Sequence, residues 1–161
     1  MKNLKMFCLS LNPDHLQLIK RFNYIPVGLG EADFTDEWMQ DKMGNNIANK
    51  NKNYGEYTFH YWLWKNYLDQ INSDWVGFCQ YRKFFLQKHV DQKDISLNLL
   101  EQNLIKTVPS NLDIYECILG EKSPVDNYKF KFFKKNFLKI SLSPSVIFFK
   151  SKRSIKFHFD V

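Results

Sequence analysis

Residues 44–66 of the chain are GNNIANKNKNYGEYTFHYWLWKN, and residues 75–85 are WVGFCQYRKFF. Aromatic and apolar side chains cover almost every side of a helix over residues 54–71, so the sequence predicts a helix that is buried on most faces. The apolar run 75–79 then predicts a short central strand. A polar, basic segment, 80–83, follows this strand directly. A helix that leads into a buried strand is typical of an α/β fold.

The sequence before this block predicts a strand–helix–strand unit. Apolar runs at 6–11 and 24–29 indicate two buried strands. Between them, Asn12 suits a helix N-cap and Pro13 suits the first helical position, which predicts a helix over 13–22. Two strands joined by a helix through short connections indicate a right-handed crossover between parallel strands. We therefore predict an α/β fold with a mainly parallel sheet flanked by helices.

The last third of the chain continues this pattern. Asp94 suits the cap of a predicted helix, residues 114–119 suit a further strand, and Asp126 suits the cap of a basic, aromatic helix. Residues 155–161 alternate between apolar and polar side chains, as a strand does. No repeat or linker divides the sequence, so we expect a single domain over 1–161. Because the chain ends on a strand pattern, we also expect this domain to be incomplete at its C-terminus.

Composition and charge narrow the class of protein. The chain has 161 residues, of which 44% are hydrophobic and 17% aromatic, as expected of a globular domain with a substantial core. Its apolar runs are far shorter than the roughly 20 residues that span a bilayer. Residues 121–161 hold 10 Lys or Arg and 3 Asp or Glu, so this basic aromatic segment has a net charge of +7. Such a segment either binds phosphate, anionic lipid or nucleic acid, or is a solvated face.

Cysteine and glycine patterns exclude several common sites. The three cysteines, Cys8, Cys79 and Cys117, show no C-x-x-C spacing, so we predict buried free thiols in a reducing cytosol. Gly28 and Gly30 follow a predicted strand, but the third glycine of a dinucleotide fingerprint is missing. The sequence also contains no P-loop.

The other titratable residues give weaker signals. We predict that His60 is packed in the core and hydrogen-bonded rather than a metal ligand. His158 and Asp160 share a face of a predicted strand, either as a site or as part of a solvated edge strand. The acidic residues from Asp33 to Asp41 either provide a base or metal ligands or belong to a solvated loop. No D-x-D ends an apolar strand.

Polar and basic residues lie at both ends of the block quoted above. In a parallel sheet, the start of a helix and the end of the following strand come near the same crevice. The asparagine-rich segment, with Lys50, would bring amide and ammonium groups there, and Arg82 and Lys83 would add positive charge that suits a diphosphate. The alternatives are a surface salt bridge for Arg82 and core packing for the aromatic rings. The rings able to stack on a base or a sugar are those of Tyr57, Trp62, Trp64 and Tyr81.

This block resembles a bacterial glycosyltransferase-like family of capsular-polysaccharide and exopolysaccharide biosynthesis, long described as a domain of unknown function. The family pattern is GDNIS-x-x-N, then YCELTALYWAWKN, then HYRRYF. This chain has GNNIANKN at 44–51, YGEYTFHYWLWKN at 54–66 and QYRKFF at 80–85, in the same order and with the same spacing. Departures from the pattern include Asn45 in place of an Asp, Gly55 in place of a Cys and Gln80 in place of a His.

The resemblance implies a GT-A-like, Rossmann-like fold that binds a nucleotide-diphospho-sugar at the strand ends. It also implies sugar transfer, of the hexosyltransferase type, to a glycan or lipid-linked acceptor in the cytoplasm. Since no D-x-D follows the strand, we expect Arg82, helped by Lys83, to stabilise the leaving diphosphate in place of a divalent metal. The resemblance leaves metal dependence open, and we assign no catalytic base. The predicted donor-binding residues are Asn45, Asn46, Lys50, Asn51, Glu56, Tyr57, Tyr81, Arg82 and Lys83.

Two other functions compete with an active transferase. The replaced Asp and His, at Asn45 and Gln80, favour a non-catalytic, degenerate glycosyltransferase. The basic aromatic segment, 121–161, favours a module that binds nucleic acid or an anionic membrane surface. Nucleic acid is disfavoured, because no nucleic-acid-binding motif is present and most aromatics follow buried patterns. A lipid-linked acceptor instead favours peripheral association with the inner face of a membrane.

Overall fold

The structure, a computed structural model, describes residues 1–88, 90, 95–120 and 147–150. None of the helices in this part of the chain is long and apolar enough to cross a bilayer. The strands are β1 (Lys2–Ser10), β2 (Ile25–Gly28), β3 (Met39–Gln40), β4 (Trp75–Gln80), β5 (Thr107–Val108), β6 (Cys117–Leu119) and β7 (Ile147–Lys150). The α-helices are α1 (Leu16–Arg21), α2 (Asn51–Tyr54), α3 (Tyr57–Asn66) and α4 (Leu97–Asn103), and 3₁₀ turns occupy Pro13–His15, Ala48–Lys50, Leu68–Gln70 and Ser110–Leu112.

The sheet is mainly parallel and flanked by helices, as predicted. β2 and β4 pair in parallel with the two sides of β1, with Phe7 opposite Ile25 and Leu4 opposite Trp75. β3 extends the parallel part beyond β2, while β7 and β6 add antiparallel strands beyond β4. The order is β3-β2-β1-β4-β7-β6, with β5 antiparallel to the start of β1. The chain therefore builds outward from β1 on one side and then returns to add β4 on the other.

Alternation along the two central strands sorts their side chains onto two faces of the sheet. α1 and α4 cover one face, and α3 covers the other. Each large apolar side chain that is fully buried in these layers stabilises the fold by roughly 1.5–3 kcal/mol. The first layer contains Met6, Cys8, Trp75 and Cys79 with Ile19, Phe22, Leu100 and Leu104, and the second contains Phe7, Leu9, Val76 and Phe78 with Phe59 and Leu63.

The helix predicted over 54–71 is divided in the structure. α2 ends at Tyr54, and α3 begins at Tyr57. Between them, Gly55 has φ +55° and ψ −131°, a conformation that a residue with a Cβ adopts only under strain. The glycine therefore ends one helix and sets the direction of the next.

The start of one strand and the start of one helix differ from those predicted from the sequence. β1 begins earlier than expected because β5 pairs with its first residues, Lys2 and Asn3. α4 is capped by Ser96, whose hydroxyl accepts a hydrogen bond from the N–H of Leu99 at 3.2 Å. The predicted cap Asp94, the helix expected after Asp126, and residues 155–161 with His158 and Asp160 all lie outside the described residues.

The cysteines are free thiols, as predicted, but they are not all buried. Cys8 and Cys79 are buried side by side on β1 and β4. Cys117 is exposed, contrary to the prediction. It begins β6, a short strand at the end of the strand order, which includes only part of the strand predicted over 114–119.

His60, on α3, is packed in the core as predicted. Its ring centroid lies 4.3 Å from that of Phe78. Nε2 of His60 is buried and has no hydrogen-bond partner among the described residues, so the predicted hydrogen bond is not found at this atom. Burial lowers the pKa of His60 to about 4, so the side chain is neutral in the folded protein at neutral pH.

His60 is expected to make the protein less stable in mild acid. Below about pH 6.5 the unfolded chain takes up a proton at His60 that the folded chain does not, so the free energy of unfolding falls by about 1.4 kcal/mol per pH unit down to about pH 4. Urea unfolding of the wild type and of His60→Phe across this range measures the effect, because phenylalanine fills the site without titrating. As the pH falls, the free energy of unfolding of the wild type should decrease relative to that of His60→Phe. A difference that is constant with pH contradicts the prediction.

Candidate functional site

β1 and β4 end beside each other at the point where the strand order reverses. Leu9 pairs with Gln80, and the N–H of Tyr81 donates to the carbonyl of Leu9 at 3.3 Å. The loops that follow the two strands therefore start side by side at the carboxyl edge of the sheet. In open α/β sheets, ligands bind in the crevice at such a reversal. We call the residues gathered here, Ser10, His15, Glu56, Gln80, Tyr81, Arg82 and Lys83, the switch-point site.

A tight turn follows β4 and carries two of the predicted cations. The N–H of Lys83 donates to the carbonyl of Gln80 at 3.0 Å, which leaves Tyr81 and Arg82 at the tip of the turn. The side chains of Arg82 and Lys83 are exposed. Of the ion pairs found among the described residues, none includes either cation. The salt bridge that was the alternative for Arg82 is therefore not found in this part of the chain.

Tyr81 stacks on His15, a residue that the sequence analysis did not assign to the site. The ring centroids are 3.9 Å apart and the ring planes are 16° from parallel. His15 Nδ1 is 2.7 Å from the hydroxyl oxygen of Ser10, and the guanidinium carbon of Arg82 lies 5.7 Å from the Tyr81 ring centroid. The stack thus joins the loop after β1 to the loop after β4. The only signal for His15 in the sequence is its position, soon after the predicted strand 6–11 and hence at the same sheet edge.

Glu56 joins the start of α3 to the end of β4. Gln80 Nε2 donates a hydrogen bond to Glu56 Oε2 at 2.8 Å. The structure thus brings the helix start and the strand end together, as expected. The N-terminal end of α3 offers a ligand fewer free backbone N–H donors than expected. The N–H groups of Thr58 and Phe59 already donate to the carbonyls of Gly55 and Glu56.

Lys50, Asn51 and Tyr57 lie around the break between α2 and α3. Asn51 Nδ2 donates to the carbonyl of Gly55 at 2.9 Å and to the hydroxyl of Thr58 at 3.0 Å, so this amide stabilises the break. Lys50 is half-buried in the preceding 3₁₀ turn. Burial, and secondly the charge of the neighbouring glutamate, raises the pKa of Tyr57. Of these three residues, Tyr57 directly follows Glu56 of the switch-point site along the chain, and Asn51 bonds to the turn that precedes Glu56.

The structure places Asn45 at the opposite end of α3 from Glu56, so Asn45 does not lie in the crevice predicted for it, whereas Asn51 lies at the start of the helix. The N–H of Asn45 donates to Asn66 Oδ1 at 2.9 Å, and Asn66 Nδ2 donates to the carbonyl of Asn45 at 2.8 Å. Asn66 ends α3, about 13 Å along the helix axis from Tyr57, where the helix begins. Gly44, with φ +66°, passes so close that a Cβ there would overlap Asn66 Oδ1. This part of the block therefore attaches loop 42–46 to the helix.

Asn46 and the two tryptophans also lie away from the switch-point site. Asn46 Nδ2 donates to the carbonyls of Lys42 and Gly44, which belong to loop 42–46. Asn46 Oδ1 accepts from the N–H of Ala48, the first residue of the next 3₁₀ turn. Trp62 Nε1 donates to the carbonyl of Met43 at 2.6 Å. Trp64 lies under a lysine ammonium, 3.6 Å from its ring centroid. Both tryptophans belong to the second half of α3, where they support the helix surface and loop 42–46.

Asp41 is a buried carboxylate that the sequence analysis treated as part of an acidic segment. It directly follows β3 and is 1% exposed, so the solvated-loop interpretation is wrong for this residue. Neither carboxylate oxygen has a hydrogen-bond partner among the described residues. Burial raises the pKa of Asp41. The sequence did not indicate this burial, because β3 is too short to show a pattern of alternation.

The switch-point site has two exposed cations, and its described side chains do not by themselves form a metal site. Among the side chains that the structure describes, no group of three His, Cys, Asp or Glu comes together as metal ligands. The carboxylate at the site, that of Glu56, accepts a hydrogen bond from Gln80. Arg82 and Lys83 would repel a cation placed beside them. The site is therefore suited to an anion.

The model of one protein family matches most of the chain. Residues 10–143 match "Domain of unknown function (DUF4422)". The chain belongs to this family. As its description says, the activity of the DUF4422 domain is not known. Among curated proteins, none matches the chain.

A solved structure that is similar to this DUF4422 chain is that of WbbM, a bifunctional glycosyltransferase, in its apo form. The sequences are 20% identical, and the TM-score is 0.43. The match covers 78% of this chain and 24% of WbbM. This chain thus spans about a quarter of the length of that protein.

The contact between Gly44 and Asn66 can be tested by a double-mutant cycle. We expect Gly44→Ala to lower the free energy of unfolding by about 2–4 kcal/mol, because it combines backbone strain at positive φ with overlap on Asn66. In an Asn66→Ala background the overlap is absent, so the same substitution should cost only about 1 kcal/mol. Urea unfolding of the four proteins gives the coupling energy. Equal effects of Gly44→Ala in both backgrounds contradict the assigned contact.

Asp41→Asn is expected to stabilise the protein as the pH rises. The folded-state pKa of Asp41 is raised, so the stability it contributes is present at low pH and is lost as the carboxylate ionises. The melting temperature of Asp41→Asn should therefore exceed that of the wild type at about pH 8 and approach it at about pH 4. Asp36→Asn, at an exposed position of the same segment, is the control. A variant that is less stable than the wild type at the higher pH contradicts the prediction.

Proposed function

We propose that this chain is a glycosyltransferase-type protein that binds a nucleotide-diphospho-sugar at the switch-point site. Transfer would be to a glycan or lipid-linked acceptor. The observation that carries the proposal is the exposed pair Arg82 and Lys83, held by a tight turn at the carboxyl end of β4 beside β1. A parallel sheet directs ligands to this reversal of strand order.

The chemistry of these residues fits a diphosphate. Arg82 can donate two parallel hydrogen bonds to phosphate oxygens, and Lys83 adds a compact second charge. Sugar transfer builds negative charge on the diphosphate as it leaves, and fixed cations stabilise that charge without reorganising. The aromatic pair Tyr81 and His15 provides a rigid surface next to the cations.

The likeness of residues 44–85 to a glycosyltransferase-like family gives independent support from the sequence. The structure refines which parts of that block we assign to the donor. We assign the diphosphate to Arg82 and Lys83, and we assign Glu56 and Tyr81 to the surroundings of the donor. Loop 42–46 is not assigned to the site, because the backbone of Asn45 bonds to Asn66 of α3 and the side chain of Asn46 bonds to backbone groups of the loop and of the next 3₁₀ turn.

A second candidate function is a binding module without transferase activity. The net charge of +7 over residues 121–161 favours it, since a basic aromatic segment suits an anionic membrane surface or another polyanion. The two candidates predict different ligands. A glycosyltransferase binds a particular nucleotide sugar, whereas a polyanion binder shows weak, strongly salt-dependent binding to many anions.

The proposed donor site is tested by Arg82→Ala and Lys83→Ala. A thermal-shift screen with UDP-, GDP- and CMP-sugars identifies the donor, and calorimetry then gives its affinity. We expect each variant to weaken binding by about tenfold or more, because a charge-assisted hydrogen bond contributes about 1.5–3 kcal/mol.

Lys106→Ala is the matched control for this test. Lys106 is exposed and precedes β5, which pairs with the start of β1 at the opposite, amino edge of the sheet. Its removal should leave donor binding unchanged. Equal effects of all three variants, abolished by added salt and reproduced with a single-stranded oligonucleotide, would instead support the polyanion binder.

A further inference from the structure

The buried hydroxyl oxygen of Ser10 lies close to three polar groups. Which of these groups can donate and which can only accept bears on where the hydroxyl proton goes. Ser10 Oγ lies 3.0 Å from the carbonyl oxygen of Asn12, 3.0 Å from the N–H nitrogen of Asn12 and 2.7 Å from His15 Nδ1. A carbonyl oxygen has no proton, so two oxygens at that distance attract only if the hydroxyl donates. We infer that the single proton of Ser10 goes to the carbonyl of Asn12, and that Ser10 Oγ then accepts from the other two groups.

This arrangement decides the tautomer of His15. Because Ser10 Oγ has already given its proton, the nitrogen 2.7 Å away must be the donor, so Nδ1 carries the hydrogen. In a neutral imidazole the other nitrogen, Nε2, is then an acceptor. The stack on Tyr81 fixes the ring plane as well, at 16° from parallel. His15 thus presents a fixed acceptor on the side of its ring that faces away from Ser10.

The position of that acceptor relates to the proposed diphosphate site. Tyr81 contacts both His15 and Arg82, with its ring centroid 3.9 Å from the imidazole centroid and 5.7 Å from the guanidinium carbon. The imidazole and the guanidinium are therefore no further apart than those two distances together. In a nucleotide-diphospho-sugar the diphosphate is bonded to the ribose on one side and to the transferred sugar on the other, and a nucleoside diphosphate keeps only the ribose. Its hydroxyls are donors that match a neutral Nε2.

We propose that His15 Nε2 accepts a hydrogen bond from a ribose hydroxyl of the nucleotide, and that Ser10 is the positioning residue that keeps His15 in the required tautomer. This inference rests on the proposed function, since it assumes that the diphosphate lies at Arg82. It adds two residues, Ser10 and His15, that the sequence analysis did not assign. It also names the part of the donor that they recognise.

The tautomer is tested without any ligand. Nitrogen-15 NMR of the histidine side chains at about pH 8 should show a protonated Nδ1 and an unprotonated Nε2 for His15, assigned with His15→Phe. Ser10→Ala should lose this preference. Ser73→Ala is the matched control, because it removes a buried serine hydroxyl that donates to the carbonyl of Trp75, at the far end of β4 from the site. Protonation at Nε2 in the wild type overturns the inference.

Ribose recognition is tested by calorimetry with UDP, GDP and CDP, followed by the 2′-deoxy and 3′-deoxy forms of the nucleotide that binds. In the wild type, one deoxy form should bind about tenfold more weakly, as expected for one lost hydrogen bond. His15→Phe keeps a ring against Tyr81 but should bind the full and deoxy nucleotides equally. Ser10→Ala should bind the full nucleotide several-fold more weakly than Ser73→Ala does.

The outcomes separate this inference from the function on which it rests. Binding of a nucleotide that is weakened by Arg82→Ala but is insensitive to both deoxy changes and to His15→Phe overturns ribose recognition alone. Failure of every nucleotide to bind the wild type overturns the proposed function and the ribose contact with it. If His15→Phe still binds a deoxy nucleotide more weakly than the full nucleotide, another residue recognises the ribose hydroxyl. That result also overturns the inference.

Discussion

The parallel pairing of β1 with β4 is the constraint on which the rest of the structure depends. Their register runs through six residue pairs, from Leu4 and Trp75 to Leu9 and Gln80. β1 is buried on both faces, so a shift by one residue would exchange the side chains under α1 with those under α3. The same shift would separate Tyr81 from the loop after β1. The register that fills the core therefore also builds the switch-point site.

The two ends of α3 have different roles. At its start, Glu56 bonds to Gln80 and so connects the helix to the end of β4. At its end, Asn66 bonds to the backbone of loop 42–46, and Trp62 adds a second attachment. The block that resembles a glycosyltransferase-like family thus contains residues that shape the fold as well as candidates for the site. A motif match by itself does not distinguish them, whereas their hydrogen-bond partners do.

The sequence predicted the class of fold, and the approach of the start of α3 to the end of β4, better than it predicted the details of the chain. Short apolar runs and the cap at Asn12 are local signals, and they were sufficient for the central strands and for α1. The break at Gly55 depends on a backbone conformation that helical periodicity does not reveal. Burial of Asp41 and the attachment of Asn45 to the far end of α3 depend on how distant segments meet. His15 was missed because a single histidine in a helix turn has no pattern of its own.

The positions of the three thiols allow the opening of the central sheet to be measured by thiol modification. An exposed thiolate attacks a maleimide, so in the native protein a maleimide dye should label Cys117 and spare Cys8 and Cys79. Burial also raises the pKa of Cys79, which further protects it. These two thiols become reactive only when β1 and β4 separate. The rate of their modification therefore measures how often the centre of the sheet opens, with no label placed in the core.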